Sequence, residues 1–523
     1  MSPLDYLNRK LDHLDRHRYP LGTQDALPSD VPDRGFGIQP GKYGYDGRGR
    51  GRMSCPQVPR MWRGNTSQVC GLWPFSVGAG APLVGAPLGR HLVSGVMVCG
   101  DPVSWFQRAG FLTAPTGFLL GREGFGKSSL IRRMATGCAY FGVLPLVLGD
   151  LKPDYPELIG LLGGEVIPLG RGRGYINPLD MSLVRGAVKL LDENEGNLDD
   201  QDRARLRAEF SSDARGKRHT MVSAIVVLQR NRTLEDVEDS VLAAALRELE
   251  EHFVDRDPVL SDLVQLLQAA PDRVREAAYD RGDVDRYHEL TEGLVRTLQG
   301  LLQEGRIGEM FSRPTSRHMT LDAPAAFDVS SIPEDQTDLV AAALTTCWGL
   351  GLGAVQTRVA LGEAGILPKR HYLVILDELW RVLLAAKSGM VDRVNSLTRL
   401  NRQVGTGLVM VSHTIKDLQS LPDSHDNLKA LGLIERAGML MCGALPPEEW
   451  GYLRRVRDFS DAELRMITSW QDPPPWSSST EAEPPGKGRF LIKVGGRPGI
   501  PLRVDFTATE QRLKVHDTSH LWR

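Results

Sequence analysis

A chain of 523 residues, 41% hydrophobic and 24% charged, has the composition of an ordinary globular protein and is long enough for roughly two to four domains. A formal net charge of −2 excludes the global basic field of a dedicated nucleic-acid binder, though not a local basic stripe. Six scattered cysteines (Cys55, Cys70, Cys99, Cys138, Cys347, Cys442) with no Cys-x-x-Cys pair exclude a disulfide scaffold or a zinc site and fit a reducing cytoplasm.

Residues 1–65 read as a polar, Gly- and Arg-rich N-terminal extension of irregular structure. Its first twenty residues are amphipathic and charged and lack the apolar core of a signal peptide. Arg48, Arg50, Arg52, Arg60 and Arg63 suit either a basic arm or a solvated linker. Residues 66–110 carry apolar runs between Gly and Pro, which predicts a short β-rich region. The uncharged run Gly71–Gly89 is broken by Pro74, Pro82 and Pro87, whereas a spanning helix needs about 20 helix-competent residues.

An α/β core is expected over residues 111–181 and 319–510, interrupted by an all-helical insertion at 182–318 and followed by a tail, 511–523. "TGFLL" reads as a buried strand, "KSSLIRRMATGCAYF" as a helix and "LPLVLGD" as a second strand ending at Asp150. Between the first strand and the helix stands G-x-x-x-x-G-K-S, from Gly121 to Ser128. Gly121, Arg122, Glu123, Gly124, Phe125, Gly126, Lys127, Ser128 and Ser129 are therefore the expected nucleotide contacts. Glycines let consecutive backbone N–H groups wrap a phosphate at the positive end of a helix. Lys127 reaches the β- and γ-phosphates and Ser128 offers its hydroxyl to Mg²⁺.

After the insertion, the α/β pattern returns in "AAFDVSS", "YLVILDELWRVLL", "GTGLVMVSHT" and "ERAGMLMCGAL". Ligands of parallel sheets bind at the C-terminal ends of such strands. "LVILDEL" ends in Asp377, expected to hold Mg²⁺, and Glu378, expected to polarise the attacking water. No N/T-K-x-D guanine reader occurs, so the acid pair points to ATP hydrolysis for work. Arg402 precedes the next strand and is either a helix-surface residue or an arginine reaching a neighbouring subunit's nucleotide. His413 ends that strand and is either a phosphate contact or a structural histidine. "QDPPPWSSSTEAEPPGKGR" reads as a proline-rich loop and "RFLIKVGGRPGIPLRVDF" as a hairpin turning at 495–499.

The order of these motifs resembles the VirB/TraC-type energising ATPases of conjugation and type IV secretion, within the HerA/FtsK superfamily, in a shortened actinobacterial-type form. The most specific piece is Gly149–Asp180, where Asp150, Lys152, Asp154 and Tyr155 match an acidic D-x-K-G-E-Y strand end and "INPLD" closes the segment. The resemblance implies a RecA-like core working as a homo-hexamer with ATP between subunits, and Arg402 as the finger. It also implies docking at the inner face of the cell membrane, on channel or other transfer-apparatus proteins, with DNA or protein as cargo. Two departures stand out: His413 fills the place of a sensor glutamine, and the N-terminal part is short. A DNA-translocating ATPase and a nucleotide-binding assembly scaffold are the alternative readings.

Overall fold

Short apolar runs alternating with helical segments bury both faces of their strands, which is the pattern of a parallel sheet covered by helices. The computed structural model describes residues 82–170, 172–194, 198–302, 309–385, 405–419, 424–473 and 484–514. Within them an 11-stranded sheet runs in the order β2-β1-β11-β10-β9-β3-β8-β7-β4-β6-β5. The strands are β1 (Pro87–His91), β2 (Met97–Cys99), β3 (Thr116–Leu120), β4 (Val143–Asp150), β5 (Glu165–Pro168) and β6 (Ala325–Asp328). They continue with β7 (His371–Leu376), β8 (Gly407–Ser412), β9 (Met439–Cys442), β10 (Arg489–Lys493) and β11 (Ile500–Val504). From β9 through β3, β8, β7, β4 and β6 to β5 every pairing is parallel. β10, β11, β1 and β2 extend the sheet antiparallel on the far side of β9.

Side-chain alternation assigns each strand residue to one of two layers. Phe118, Leu120, Val374 and Leu376 join the cluster that holds helix Thr337–Glu363. Leu119, Leu373, Ile375 and Val409 point the other way, against Leu130, Ile131 and Met134 of helix Lys127–Tyr140. Among the described residues, Thr337–Glu363 is the one helix long and apolar enough to cross a membrane, and 83% of its most apolar window is buried in this fold. It serves as the central core helix.

Residues 182–302 form six helices among the described positions: Ser182–Glu193, Asp200–Arg230, Asp236–His252, Leu260–Ala269, Asp272–Ala278 and Val284–Leu302. The 31-residue helix Asp200–Arg230 starts at an Asp199 side chain that accepts from the Asp202 N–H, and ends at Asn231 in the left-handed conformation. Its buried face packs on the central helix at Gly349, where a Cβ would lie 2.5 Å from Met221 Sδ.

Two elements differ from the sequence reading. Pro102–Gln107, inside the region expected to be β-rich, is a helix. Asp101 accepts from the Ser104 N–H at 2.7 Å and Pro102 sits in its first turn, so a capping signal outweighs the strand-like composition. Helix Ala508–Arg512 crosses the expected 510/511 boundary because Thr507 and Glu510 form a capping box. The N-terminal extension, most of the proline-rich loop (474–483), and Arg402 lie outside the described residues.

Candidate active site

The parallel order sets β8 between β3, which leads into the Gly121–Ser129 loop, and the acidic strand β7, with β4 beyond. Leu120 pairs with Ser412, and Leu376 with Met410, so the C-terminal ends of β3, β8 and β7 open on one edge. Residues 121 to 126 turn from β3 into helix Lys127–Tyr140. Gly124 and Gly126 hold φ of +82° and +91°, a region glycine enters without strain. Lys127 Nζ donates to the Gly121 carbonyl at 2.8 Å. Burial lowers its pKa, against the opposing pull of Asp377, Glu378 and Glu123.

The loop is laced to its neighbours through backbone bonds. Gly121 N–H donates to the His413 carbonyl at 2.9 Å, and Arg122 N–H to the Ala444 carbonyl at 3.0 Å. Gly488 N–H donates to the Phe125 carbonyl at 3.0 Å, which brings the segment leading into β10 against the loop. Arg122 reaches Gln471 Oε1 at 3.3 Å, and Glu123 pairs with Lys152.

Adjacent residues after β4 tie the loop to the acidic strand. Ser128 Oγ donates to Asp154 Oδ2 at 2.6 Å, and the buried Tyr155 hydroxyl donates to Asp377 Oδ2 at 2.7 Å. Asp150, itself buried, accepts from the Tyr155 N–H at 2.9 Å and fixes this turn. Burial drives Asp150 well above the usual carboxylate range. Burial, and then the charge of Glu378, raise Asp377 to about 6. Ser128 and Asp377 are hard oxygen donors, the set Mg²⁺ takes, so they are the residues that would hold that ion.

Glu378 behaves oppositely. Burial alone would raise its pKa, but the hydrogen bond and charge of His413, then Lys152 and Arg381, bring it down to about 2. Its backbone sits at φ +52°, uncommon for a residue with a Cβ. Trp380 Nε1 donates to Glu378 Oε2, and His413 Nε2 lies 3.2 Å from the same oxygen. Beside them Arg122, Glu123, Lys152, Trp380, Arg381 and His413 line an open cleft of about 580 Å³. Farther down, buried Glu449 accepts from the Ile415 and Lys416 N–H groups and sets the turn that follows His413.

The structure thus brings the Gly121–Ser129 loop, Asp377, Glu378 and His413 to one edge of the sheet. It also shows partners that the strand-by-strand reading left without a role: Lys152, Asp154 and Tyr155 after β4, and Trp380 and Arg381 after β7. For Trp380 the available signal was an indole donor two residues past the acid.

VirB4 of Thermoanaerobacter pseudethanolicus superposes on this chain with a TM-score of 0.55 at 16% identity, covering 84% of this chain and 100% of that one. The chain shares the VirB4 fold. It is a RecA-like P-loop ATPase fold, with the helical segment and the antiparallel strands added to the parallel sheet. The plasmid coupling protein TrwB, in a complex with ADP and Mg²⁺, aligns at 14% identity over 80% of this chain and 90% of its own, with a TM-score of 0.43. No protein-family model and no curated protein matches the sequence.

Proposed function

We propose that this chain is an ATP-hydrolysing motor that energises a conjugative or type IV secretion-like transfer machine. The observation that carries the reading is the pair Asp377-Glu378, joined to the phosphate loop through Asp154 and Tyr155, at the strand edge where ligands of α/β sheets bind. The loop N–H groups and Lys127 grip the β- and γ-phosphates. Ser128 and Asp377 would hold Mg²⁺, which when bound would screen the phosphate charge. Glu378 takes a proton from water as the water oxygen bonds to the γ-phosphorus. The bond from that phosphorus to the β–γ bridging oxygen breaks, and its electron pair leaves with ADP.

The motor acts as a homo-oligomeric ring of six subunits, with Arg402 completing the neighbour's site. It works in the cytoplasm, at the inner face of the membrane, docked on channel proteins of the transfer apparatus, and moves DNA or protein. The shared VirB4 fold and the order of motifs support this reading.

Lys127→Ala abolishes nucleotide binding, and Glu378→Gln binds ATP but does not turn it over. Mixing Arg402→Ala with Lys127→Ala subunits restores part of the activity, because each supplies what the other lacks. Turnover by Glu378→Gln at the wild-type rate refutes the assignment of the base. ATPase activity stimulated by DNA alone, with no response to membranes or channel proteins, would instead identify a direct DNA pump. Nucleotide binding with no hydrolysis under any condition would identify an assembly scaffold.

A further inference from the structure

The two oxygens of Glu378 have different surroundings. Oε2 accepts from the Trp380 indole, lies 3.2 Å from His413 Nε2, and has Arg381 Nε at 3.6 Å. Oε1 makes no hydrogen bond among the described residues. Lys152 Nζ lies 3.8 Å from it and is committed to Glu123 of the phosphate loop. The indole and the imidazole meet edge to face, with ring centres 5.6 Å apart and planes at 89°. Arg381 covers the indole at 4.9 Å and pairs with Glu334, so the indole is held in place from behind.

We propose that Trp380 and His413 are positioning residues that anchor Oε2 and so present Oε1 as the oxygen that takes the proton from water. This rests on the reading of Glu378 as the base. A glutamate has three side-chain torsions, and a freely rotating carboxylate is within reach of the attacking water only part of the time. Two donors on one oxygen select one rotamer. They also leave the other oxygen facing Lys152, a residue that lines the cleft with Arg122 and Glu123. His413 donates through Nε2 in this arrangement, so Nε2 carries the hydrogen. It acts on the base rather than on the γ-phosphate. Its carbonyl meanwhile accepts from the Gly121 N–H at 2.9 Å. One residue at the end of β8 therefore holds both the start of the phosphate loop and the base, which couples loop closure to the placement of Oε1.

The test is steady-state ATPase kinetics on the full chain, with the affinity for a fluorescent ATP analogue measured in parallel. Trp380→Phe keeps an aromatic ring but loses the N–H, and His413→Ala loses the second donor. Each lowers kcat by about 10–100-fold while KM and nucleotide affinity stay unchanged. The double variant loses less than the product of the two, because both donors serve one oxygen. His413→Gln, whose amide also donates, recovers most of what His413→Ala loses. Wild-type kcat in both Trp380→Phe and His413→Ala overturns the clamp, as does a His413→Gln variant no better than His413→Ala. If Trp380→Phe loses nucleotide binding through misfolding, the His413 pair decides alone. Glu378→Gln separates the two claims. If it abolishes turnover while the anchor variants run at the wild-type rate, only the clamp fails; if it turns over normally, the base assignment fails with it.

Discussion

Removing one partner of a buried ion pair leaves the other charge stranded, and Glu510→Ala does this to helix Lys127–Tyr140. Arg133, on that helix, donates to both oxygens of Glu510 at 2.7 Å, with side-chain exposures of 11% and 8%. The Arg133 Nε donates to the Pro87 carbonyl at 2.7 Å, so the guanidinium fastens three separate segments. Stranding such a cation costs about 3–5 kcal/mol. Glu510 also accepts from the Thr507 N–H at 2.7 Å, and losing that bond adds about 0.5–1.5 kcal/mol. The expected total is about 3.5–6.5 kcal/mol, read as a fall in the urea midpoint at unchanged slope. Replacing both residues, as Arg133→Leu with Glu510→Leu, recovers most of the loss, because two apolar side chains need no partner. A loss below about 1 kcal/mol in Glu510→Ala, or a double variant as unstable as the sum of the singles, would refute the reasoning. Either result would mean that water reaches Arg133 and that the C-terminal helix does not brace the loop.

Mg²⁺ affinity falls by about tenfold per pH unit below pH 6, since Asp377, raised to about 6, must ionise before it can ligate; isothermal titration across pH 5–8 measures this, and a flat profile excludes Asp377 as a ligand. Tyr155→Phe removes the hydroxyl that favours ionised Asp377, so the same titration shifts to higher pH. His318 donates to Asp180 at 2.8 Å, and that hydrogen bond raises its pKa above 6.5. A raised folded-state value gives stability that is complete below 6.5 and is lost as pH rises through it. The melting-temperature gap between the wild type and His318→Ala therefore narrows from pH 6 to pH 9, and a gap that widens refutes the pairing. Gly349→Val drives a branched side chain into Met221 and costs about 1–3 kcal/mol in thermal unfolding; an unchanged melting temperature would show that the two helices are free to move apart.

Elements whose signals lie within a few consecutive residues were legible in the chain itself. The turn from β3 into helix Lys127–Tyr140 is one: it needs Gly124 and Gly126 at positive φ, and Lys127 and Ser128 follow on the helix it opens. The buried strands β3, β4, β7, β8 and β9 are others, since short apolar runs read directly as parallel strands, and β4, β7 and β8 carry a polar residue at or just past the C-terminal end. The helix Pro102–Gln107 was missed because six residues carry little periodicity and a single Asp101 cap decides their state.

Sequence alone therefore determined the fold class and the local conformation of the Gly121–Ser129 turn and of the strand that ends at Asp377-Glu378, because their determinants are contiguous and act through backbone conformation and local burial. It could not determine which donors converge on Glu378. Trp380 is two residues away, but His413 is 35 residues along the chain and Lys152 lies more than two hundred residues before it. They meet because β8 inserts between β3 and β7 while β4 flanks β7, a strand order set by the packing of whole layers. The unequal environment of the two Glu378 oxygens is a product of that order. It rests on distances between side chains from separate strands, and no spacing along the chain encodes them.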